Sequence, residues 1–343
     1  MFVSRRLAVS AQFRQLAYQP RAIPIQTSSF STSRCHDAIS NSLRQKAQQN
    51  NQQFKLDNLF NVRDKVALIS GGGTGIGLMA TQALAVNGAK VYITGRTEEK
   101  LNRVAELYGE DIPGSIIPVP ADITSKESIK KLADTISQRE SHLSILINNA
   151  GISSHTQTTE HDNASDLRKS LFDDPDATIK DWENVYRTNV PQLFFMTTTF
   201  LPLLENGSKA HHGWSSTVIN ISSISGIVKT AQHHFAYNAS KAAAVHLTKM
   251  LANEISGSPE ERLPIRINNI APGVFPSEMT TGESDEIQKS SIPKEKYEKK
   301  VPARRPGKDG DMGNAVLFTA TNQYLNGQTV VVDGGYVLAA GSV

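Results

Sequence analysis

Residues 65–94 read KVALISGGGTGIGLMATQALAVNGAKVYIT, and their pattern changes period twice within thirty positions. Lys65–Ser70 and Lys90–Thr94 are short runs rich in β-branched and apolar residues, the composition of buried strands. Between them Ile76, Met79, Ala80, Ala83 and Leu84 recur at i, i+3, i+4, i+7 and i+8, which places them on one buried face of a helix. The stretch is therefore a strand, a helix and a second strand. The turn that joins the first two is Ser70-Gly71-Gly72-Gly73-Thr74-Gly75-Ile76-Gly77. Small residues let the backbone fold sharply there, and the amides at the helix start favour negative charge. A glycine-rich turn in this setting is read as a cradle for the phosphates of a dinucleotide.

The same alternation continues outward. Strand-like runs at Ile116–Pro120, Leu143–Asn148, Thr217–Ser222, Ile265–Ile270 and Thr329–Asp333 bring the count to seven, separated by helical stretches. The pattern predicts an α/β fold: a single doubly wound Rossmann-type domain with a seven-stranded parallel sheet. Two stretches interrupt the rhythm, 153–180 and 205–215, and both are expected to be surface excursions. After the second strand, where an acidic residue would hold the ribose hydroxyl of NAD, the chain has Thr94-Gly95-Arg96. A guanidinium suits a 2′-phosphate, so Arg96 favours NADP(H), a solvated surface arginine being the alternative.

The bulk composition is that of a water-soluble globular protein: 38% hydrophobic and 20% charged residues over 343 positions. No apolar run is long enough to cross a membrane. The net charge of +3 misleads, because residues 1–36 contain Arg5, Arg6, Arg14, Arg21 and Arg34 and no acid. The remainder is slightly acidic, so no basic stripe exists to track a nucleic acid. Residues 1–36 read as a mitochondrial transit peptide cleaved near positions 30–40, with a cytoplasmic protein carrying a disordered extension as the alternative. Residues 37–59 are expected to be a linker, its 41–53 part solvated and Asn/Gln-rich, and 60–343 the catalytic domain. The lone Cys35 can form no internal disulfide. The pairs His211-His212 and His233-His234 lack a further ligand at metal spacing, so no metal is expected.

Tyr237-Asn238-Ala239-Ser240-Lys241 sets a phenol and an ammonium four residues apart, on one face of a helix. Fourteen residues before the tyrosine, Ser223 follows Asn220-Ile221-Ser222 at a strand end. Together with the glycine turn, Asn148-Asn149-Ala150-Gly151 and Ala271-Pro272-Gly273, these motifs resemble the short-chain dehydrogenase/reductase family over about residues 60–338. The resemblance implies an oxidoreductase that moves a hydride between NADP(H) and a ketone or secondary alcohol. It implies that Tyr237 is the acid/base, that Lys241 lowers its pKa and holds the nicotinamide ribose, and that Ser223 orients the carbonyl. Because the Ser223 to Tyr237 spacing is one longer than the commonest, the serines beside Ser223 stay open for that role. Asn189 is implied to support a proton path to the lysine.

For the cofactor, the resemblance adds Asp122 and Asn149 beside the adenosine, and Pro272, Gly273 and Val274 near the nicotinamide, to Ser70, Gly71, Gly73, Thr74, Gly75, Ile76, Gly77 and Arg96. Ser277 stands where a threonine is usual, and Ser70 likewise. The loop 226–235 and the charged segment 282–300 are implied to face the substrate, the second as a lid. Residues 271–279 are similar to 3-oxoacyl reductases of the rhamnolipid-biosynthesis type, which makes a β-ketoacyl thioester the first substrate expected, with polyols, sugars and secondary-metabolite ketones behind. The family commonly forms homotetramers or dimers. Two rivals are a dienoyl-thioester reductase, whose members generally lack the tyrosine, and a non-catalytic NADP(H)-sensing regulator, which needs neither Tyr237 nor Lys241.

Overall fold

The structure, a computed structural model, describes residues 40–256 and 263–342. The transit-peptide reading lies outside the described residues. The chain divides into two compact units, one ending at Gln52 and one starting at Gln53. In the first, α1 (Asn41–Gln52) has no buried residue, as a solvated segment should, but it is helical rather than an open linker. The sequence supplies the reason: Leu43 to Gln49 are good helix formers, and the Ser40 hydroxyl and carbonyl accept from the amides of Leu43 and Arg44.

The second unit opens with α2 (Leu56–Leu59), β1 (Val66–Ser70), α3 (Gly75–Ala85), β2 (Lys90–Thr94), α4 (Glu98–Tyr108), β3 (Ser115–Pro118), α5 (Lys126–Arg139) and β4 (Ile145–Asn148). There follow α6 (Ala164–Leu171), α7 (Ile179–Asn189), α8 (Pro191–Ala210), β5 (Ser216–Ile221) and α9 (Phe235–Ser256). The unit closes with β6 (Ile265–Pro272), α10 (Glu278–Thr281), α11 (Asp309–Thr321), β7 (Thr329–Val332) and α12 (Tyr336–Ala340). All seven strands pair in parallel, in the order β3-β2-β1-β4-β5-β6-β7, as the alternation predicts.

Each strand alternates between two cores. Ala67, Ile69, Ile145, Ile147, Ile219 and Ile270 pack on the face covered by Leu78, Leu84 and Val316, while Leu68, Leu146, Val218 and Ile267 pack on the face of Ile136, Phe200 and Leu251. The inner strands are therefore dry on both faces, which is why they read as nearly continuous apolar runs, while the edge strand β7 leaves Val331 exposed. The strand order reverses between β1 and β4, where the chain leaves the first half of the sheet for the second. In open α/β sheets the crevice at such a switch point, beyond the strand C-termini, is where ligands sit.

The two interruptions came out differently. Segment 153–180 is a surface excursion whose α6 buries nothing; Asn163 caps it by accepting from the Asp166 amide. The first half of 205–215, in contrast, belongs to the last turns of α8. Gly207 is there because the helix lies against the sheet: an added Cβ would fall 2.1 Å from the Leu143 carbonyl oxygen. Local turn propensity at Asn206-Gly207 lost to packing against β4. Among the described residues no helix is long and apolar enough to span a membrane.

Candidate active site

A cavity of about 730 Å³ opens at the switch point. Its floor is the glycine turn. Ser70 ends β1, and its hydroxyl accepts from the amides of Asn149 and Ala150 at 3.0 and 3.2 Å, joining β1 to the loop after β4. Asn149 returns the contact by donating from Nδ2 to the carbonyls of Ser70 and Gly71, both at 3.1 Å. Thr74 precedes α3 in extended conformation with no side-chain cap, so the anion-seeking helix start is left to whatever the cavity holds. Gly71, Gly73, Thr74, Gly75 and Ile76 all line the wall. Gly77 instead supports it from beneath: a Cβ there would stand 1.9 Å from the Gly71 oxygen and 2.6 Å from Asn149 Nδ2. Gly77→Ala should lower stability by about 2–3 kcal/mol, the cost of overpacking a spot that cannot yield, as read from urea denaturation. An unchanged midpoint would show that the turn adapts.

The wall beside β2 carries positive charge. Arg96 and Lys100 line the cavity with Thr97, and Arg187 of α7 lines it from the other half of the sheet. Asp122 lines the same region; its carboxylate accepts from Thr124 N and Oγ1 at 2.9 and 2.8 Å. The Thr124 amide above all, with Arg96 and Arg187 adding, holds that carboxyl below its usual range against the opposing effect of burial. Lys100 reaches across to Glu278 at 2.6 Å, and Glu278 also accepts from Ser284. Lys100, Arg187 and Glu278 went unread in the sequence, because their approach to the cavity depends on how α4, α7 and α10 are placed.

The far wall holds the expected reaction centre. Tyr237 and Lys241 lie one turn apart on α9 and both line the cavity, with Lys241 Nζ 5.6 Å from the centre of the phenol ring. The phenol is hydrogen-bonded to Ser223, and Ser223 Oγ also accepts from the Ser225 amide at 3.1 Å. Of the serines left open by the spacing, Ser223 is the one bonded to the tyrosine; Ser222 Oγ accepts from Asn269 instead. Lys241 Nζ donates to the Ile221 carbonyl at 3.1 Å. Asn189 is buried at the end of α7. It accepts from the Ile152 amide at 2.9 Å and donates at 3.0 Å both to the Ile152 carbonyl and to Ser240 Oγ. It thus ties the loop after β4 to the helix that bears the tyrosine and lysine.

The titration of the pair departs from expectation. Burial pushes the Tyr237 phenol up, with the Ser223 hydrogen bond pulling the other way, rather than down toward neutrality. Burial lowers Lys241 to about 8, because an ammonium out of water loses hydration that one carbonyl does not replace. The lysine beside the phenol is thus only partly cationic near pH 8, which weakens its pull on the tyrosine proton.

Pro272, Gly273 and Val274 are not part of this cavity wall. Pro272 ends β6, Gly273 donates to the Val332 carbonyl, and Val274 lines a separate pocket of about 170 Å³ with Phe275, Val301 and Asp333. The large cavity is bounded on that side by Ser277, Glu278 and Met279. Segment 282–300 is charged but fastened: Lys289 pairs with Asp309 at 2.6 Å and with Gln82, and the Tyr108 hydroxyl donates to the Ile287 carbonyl. The histidine pairs make other contacts, His211 edge-on to His142 and His233 on the Gln157 carbonyl. Among the described residues, one group has ligand atoms within 4.8 Å of one another, His155, Asp174 and Asp176, and there His155 is already paired with Asp174 at 2.9 Å.

Sheet order, glycine turn and cleft define a doubly wound α/β protein with a dinucleotide-type crevice and a serine, a tyrosine and a lysine at its edge. Residues 65–288 match the family described as short chain dehydrogenase, and the chain belongs to that family. It is 37% identical over 283 residues to the short-chain dehydrogenase/reductase PhomF of Diaporthe leptostromiformis, covering 81% of this chain and 92% of that one. It is 31% identical to the rhamnolipids biosynthesis 3-oxoacyl-[acyl-carrier-protein] reductase of Pseudomonas aeruginosa, over 81% and 98% of the two chains. Among solved structures, the Pseudomonas aeruginosa RhlG/NADP active-site complex superposes with a TM-score of 0.64 at 30% identity, covering 81% of this chain and 98% of that one.

Proposed function

We propose that the protein is an NADP(H)-dependent reductase that interconverts a ketone and a secondary alcohol. The observation that carries this reading is that Tyr237, with Ser223 against its phenol, and Lys241 stand at one end of a cavity whose other end is the glycine turn. The cavity fits a dinucleotide: the turn is kept free of side chains, and the uncapped start of α3 offers amides to an anion. Arg96, with Lys100 near it and no acid at the end of β2, suits a 2′-phosphate. Asp122 and Asn149 would border the adenosine, and Lys241 the nicotinamide ribose. When bound, the cofactor supplies the hydride that the carbonyl carbon accepts.

The protein's own part is proton transfer and orientation. Ser223 donates a hydrogen bond to the carbonyl oxygen and holds it as negative charge develops there. Tyr237 delivers the proton to that oxygen, and Lys241 replenishes or stabilises the phenolate that remains. Asn189 fixes the helix and loop between which this exchange happens. A 3-oxoacyl thioester is the first substrate class, supported by the likeness to the Pseudomonas reductase; secondary-metabolite ketones, polyols and sugars follow. A mitochondrial address rests on the Arg-rich, acid-free leader. Homo-oligomerisation is supported by Ile179, Trp182, Tyr186 and Phe194, large apolar side chains exposed on consecutive helices α7 and α8.

A panel of ketones and alcohols, followed at the nicotinamide absorbance with each cofactor, tests the reading. Wild-type protein should prefer NADPH. Arg96→Asp should move the NADPH/NADH ratio of kcat/KM by about a hundredfold toward NADH, the worth of a charge-assisted contact replaced by repulsion. A variant that keeps the wild-type preference would remove Arg96 from the cofactor site.

A further inference from the structure

The glycine turn is not open along its whole length. Lys100 is rooted beside it on one side, where a Cβ added to Gly73 would lie 3.8 Å from the Lys100 Cβ. Ser277 is seated on the other, with its Cβ 2.7 Å from a Cβ added to Gly75. From these two footings Lys100 Nζ and Glu278 Oε1 meet at 2.6 Å, and both residues line the cavity. An ion pair therefore joins the two banks of the phosphate cradle.

The panel that carries Glu278 is built to move as one piece. The Ser277 carbonyl accepts from the amides of Thr280 and Thr281, the Ser277 amide donates to Thr280 Oγ1, and the Gly282 amide donates to the Glu278 carbonyl. Residues 277–281 are thus a closed turn that keeps its shape when displaced. Just beyond, Gly282 has left-handed backbone at φ 89°, and a Cβ added there would meet no atom within 4 Å. A glycine in open space can change its dihedrals at little cost, as a hinge requires. Further along, the chain is fastened away from the cavity: the Tyr108 hydroxyl donates to the Ile287 carbonyl, and Lys289 pairs with Asp309 and bonds Gln82. Of the side chains on α3 and α4 that hold the stretch 278–289 among the described residues, Lys100 alone lines the cavity.

We propose that Lys100 and Glu278 latch the 277–281 panel over a bound dinucleotide, and that breaking this ion pair is the step that lets NADP(H) enter and leave. Burial pushes the Glu278 carboxyl up, but hydrogen bonds from Lys100 and Ser284 outweigh it and hold the group below its usual range, so the pair is charged at pH 7. An ammonium has three N–H donors, so Lys100 can keep Glu278 while it also faces a phosphate beside Arg96. The two side chains are 42% and 31% exposed, which makes the pair weak enough to open during turnover.

This inference rests on the reading of the cavity as a dinucleotide site, and one set of measurements separates the two. Association and dissociation of NADPH with wild type and Glu278→Gln are followed by stopped-flow nucleotide fluorescence, and amide hydrogen exchange over 277–282 is followed in the unliganded proteins. Removing the charge should speed both rates by about fivefold, the worth of a partly exposed ion pair, while Kd stays within about twofold. Exchange at Thr281 and Gly282 should rise as well. The pair is then reversed and tested with NADH, which has no 2′-phosphate for Lys100 to meet. Lys100→Glu alone should speed release, and adding Glu278→Lys should restore the wild-type rate. Rates unchanged or slower in Glu278→Gln, faster dissociation with association unaltered, or no restoration in the reversed pair overturns the latch and leaves the dinucleotide reading standing. Wild-type protein that binds neither NADPH nor NADH overturns both.

Discussion

Tyr237→Phe will reduce turnover by about a thousandfold or more while NADPH affinity stays within a few-fold of wild type. The substitution removes one oxygen. The ring, its edge contact with His234 and its position beside Lys241 are all compatible with phenylalanine. What disappears is the proton donor and the hydrogen bond between the phenol and Ser223. General acid catalysis contributes 10²–10⁴-fold in typical enzymes, and Ser223 alone cannot replace it, since a hydroxyl of ordinary acidity holds its proton too firmly. The cavity wall proposed to hold the cofactor also includes the glycine turn, Arg96 and Asp122, so one phenol should be a small share of its affinity. Steady-state rates and cofactor titration by fluorescence are enough to check both halves. Turnover within tenfold of wild type would reassign the acid.

Lys241→Met should also abolish activity, by about a hundredfold or more, and yet leave the protein as stable as wild type or slightly more so at pH 7. The lysine is nearly fully buried, with burial lowering it to about 8 from its ordinary 10.5. A group whose folded pKa is depressed binds fewer protons in the folded than in the unfolded chain between those two values. Folded wild type therefore carries a penalty of about 3 kcal/mol below pH 8, which fades as the pH climbs to 10.5. Methionine of similar shape carries no such penalty, although it forfeits the bond to the Ile221 carbonyl, worth about 1.5–3 kcal/mol. The two nearly cancel at pH 7, and the balance moves in favour of wild type toward pH 10. Urea melts at both pH values measure this. A Met variant several kcal/mol weaker at pH 7 would mark Lys241 as a structural residue.

Both results bear on why the reaction centre is tuned as it is. Burial alone raises the tyrosine and lowers the lysine, so the two groups move apart in proton affinity and the phenol holds its proton more firmly than the lysine does. A cationic ring bound alongside would favour the phenolate and so oppose the effect of burial on the tyrosine. The same burial excludes water from the bond between Ser223 and the phenol, which strengthens it.

Periodicity was sufficient for the seven strands, because a sheet whose inner strands are dry on both faces writes them as apolar runs whatever the neighbours are. Where a local signal competed with packing, packing prevailed, as Asn206-Gly207 became helix against β4; the Asn/Gln-rich 41–52 stretch, none of whose residues is buried, followed its helix propensity and cap. Of the site, the glycine turn, Arg96, Ser223, Tyr237 and Lys241 were legible, since each belongs to a short motif whose local geometry is set by a strand end or a helix turn. Pro272 to Val274 were legible as a motif but not as a wall, because the path of a loop beyond a strand depends on what it packs against.

By itself, then, the order of residues decided the seven strands and the parallel sheet and marked the side chains proposed to react, all of which depend on contacts within a few residues or on a repeating face. Tertiary structure alone decided that Lys100 meets Glu278 across 178 positions, that Asn189 clamps Ile152 to Ser240, and that His234 comes to rest on Ser153 beside the phenol. Those pairings join segments far apart in the chain, and burial, the force that sets both titrations at the reaction centre, exists only once the segments have closed on one another.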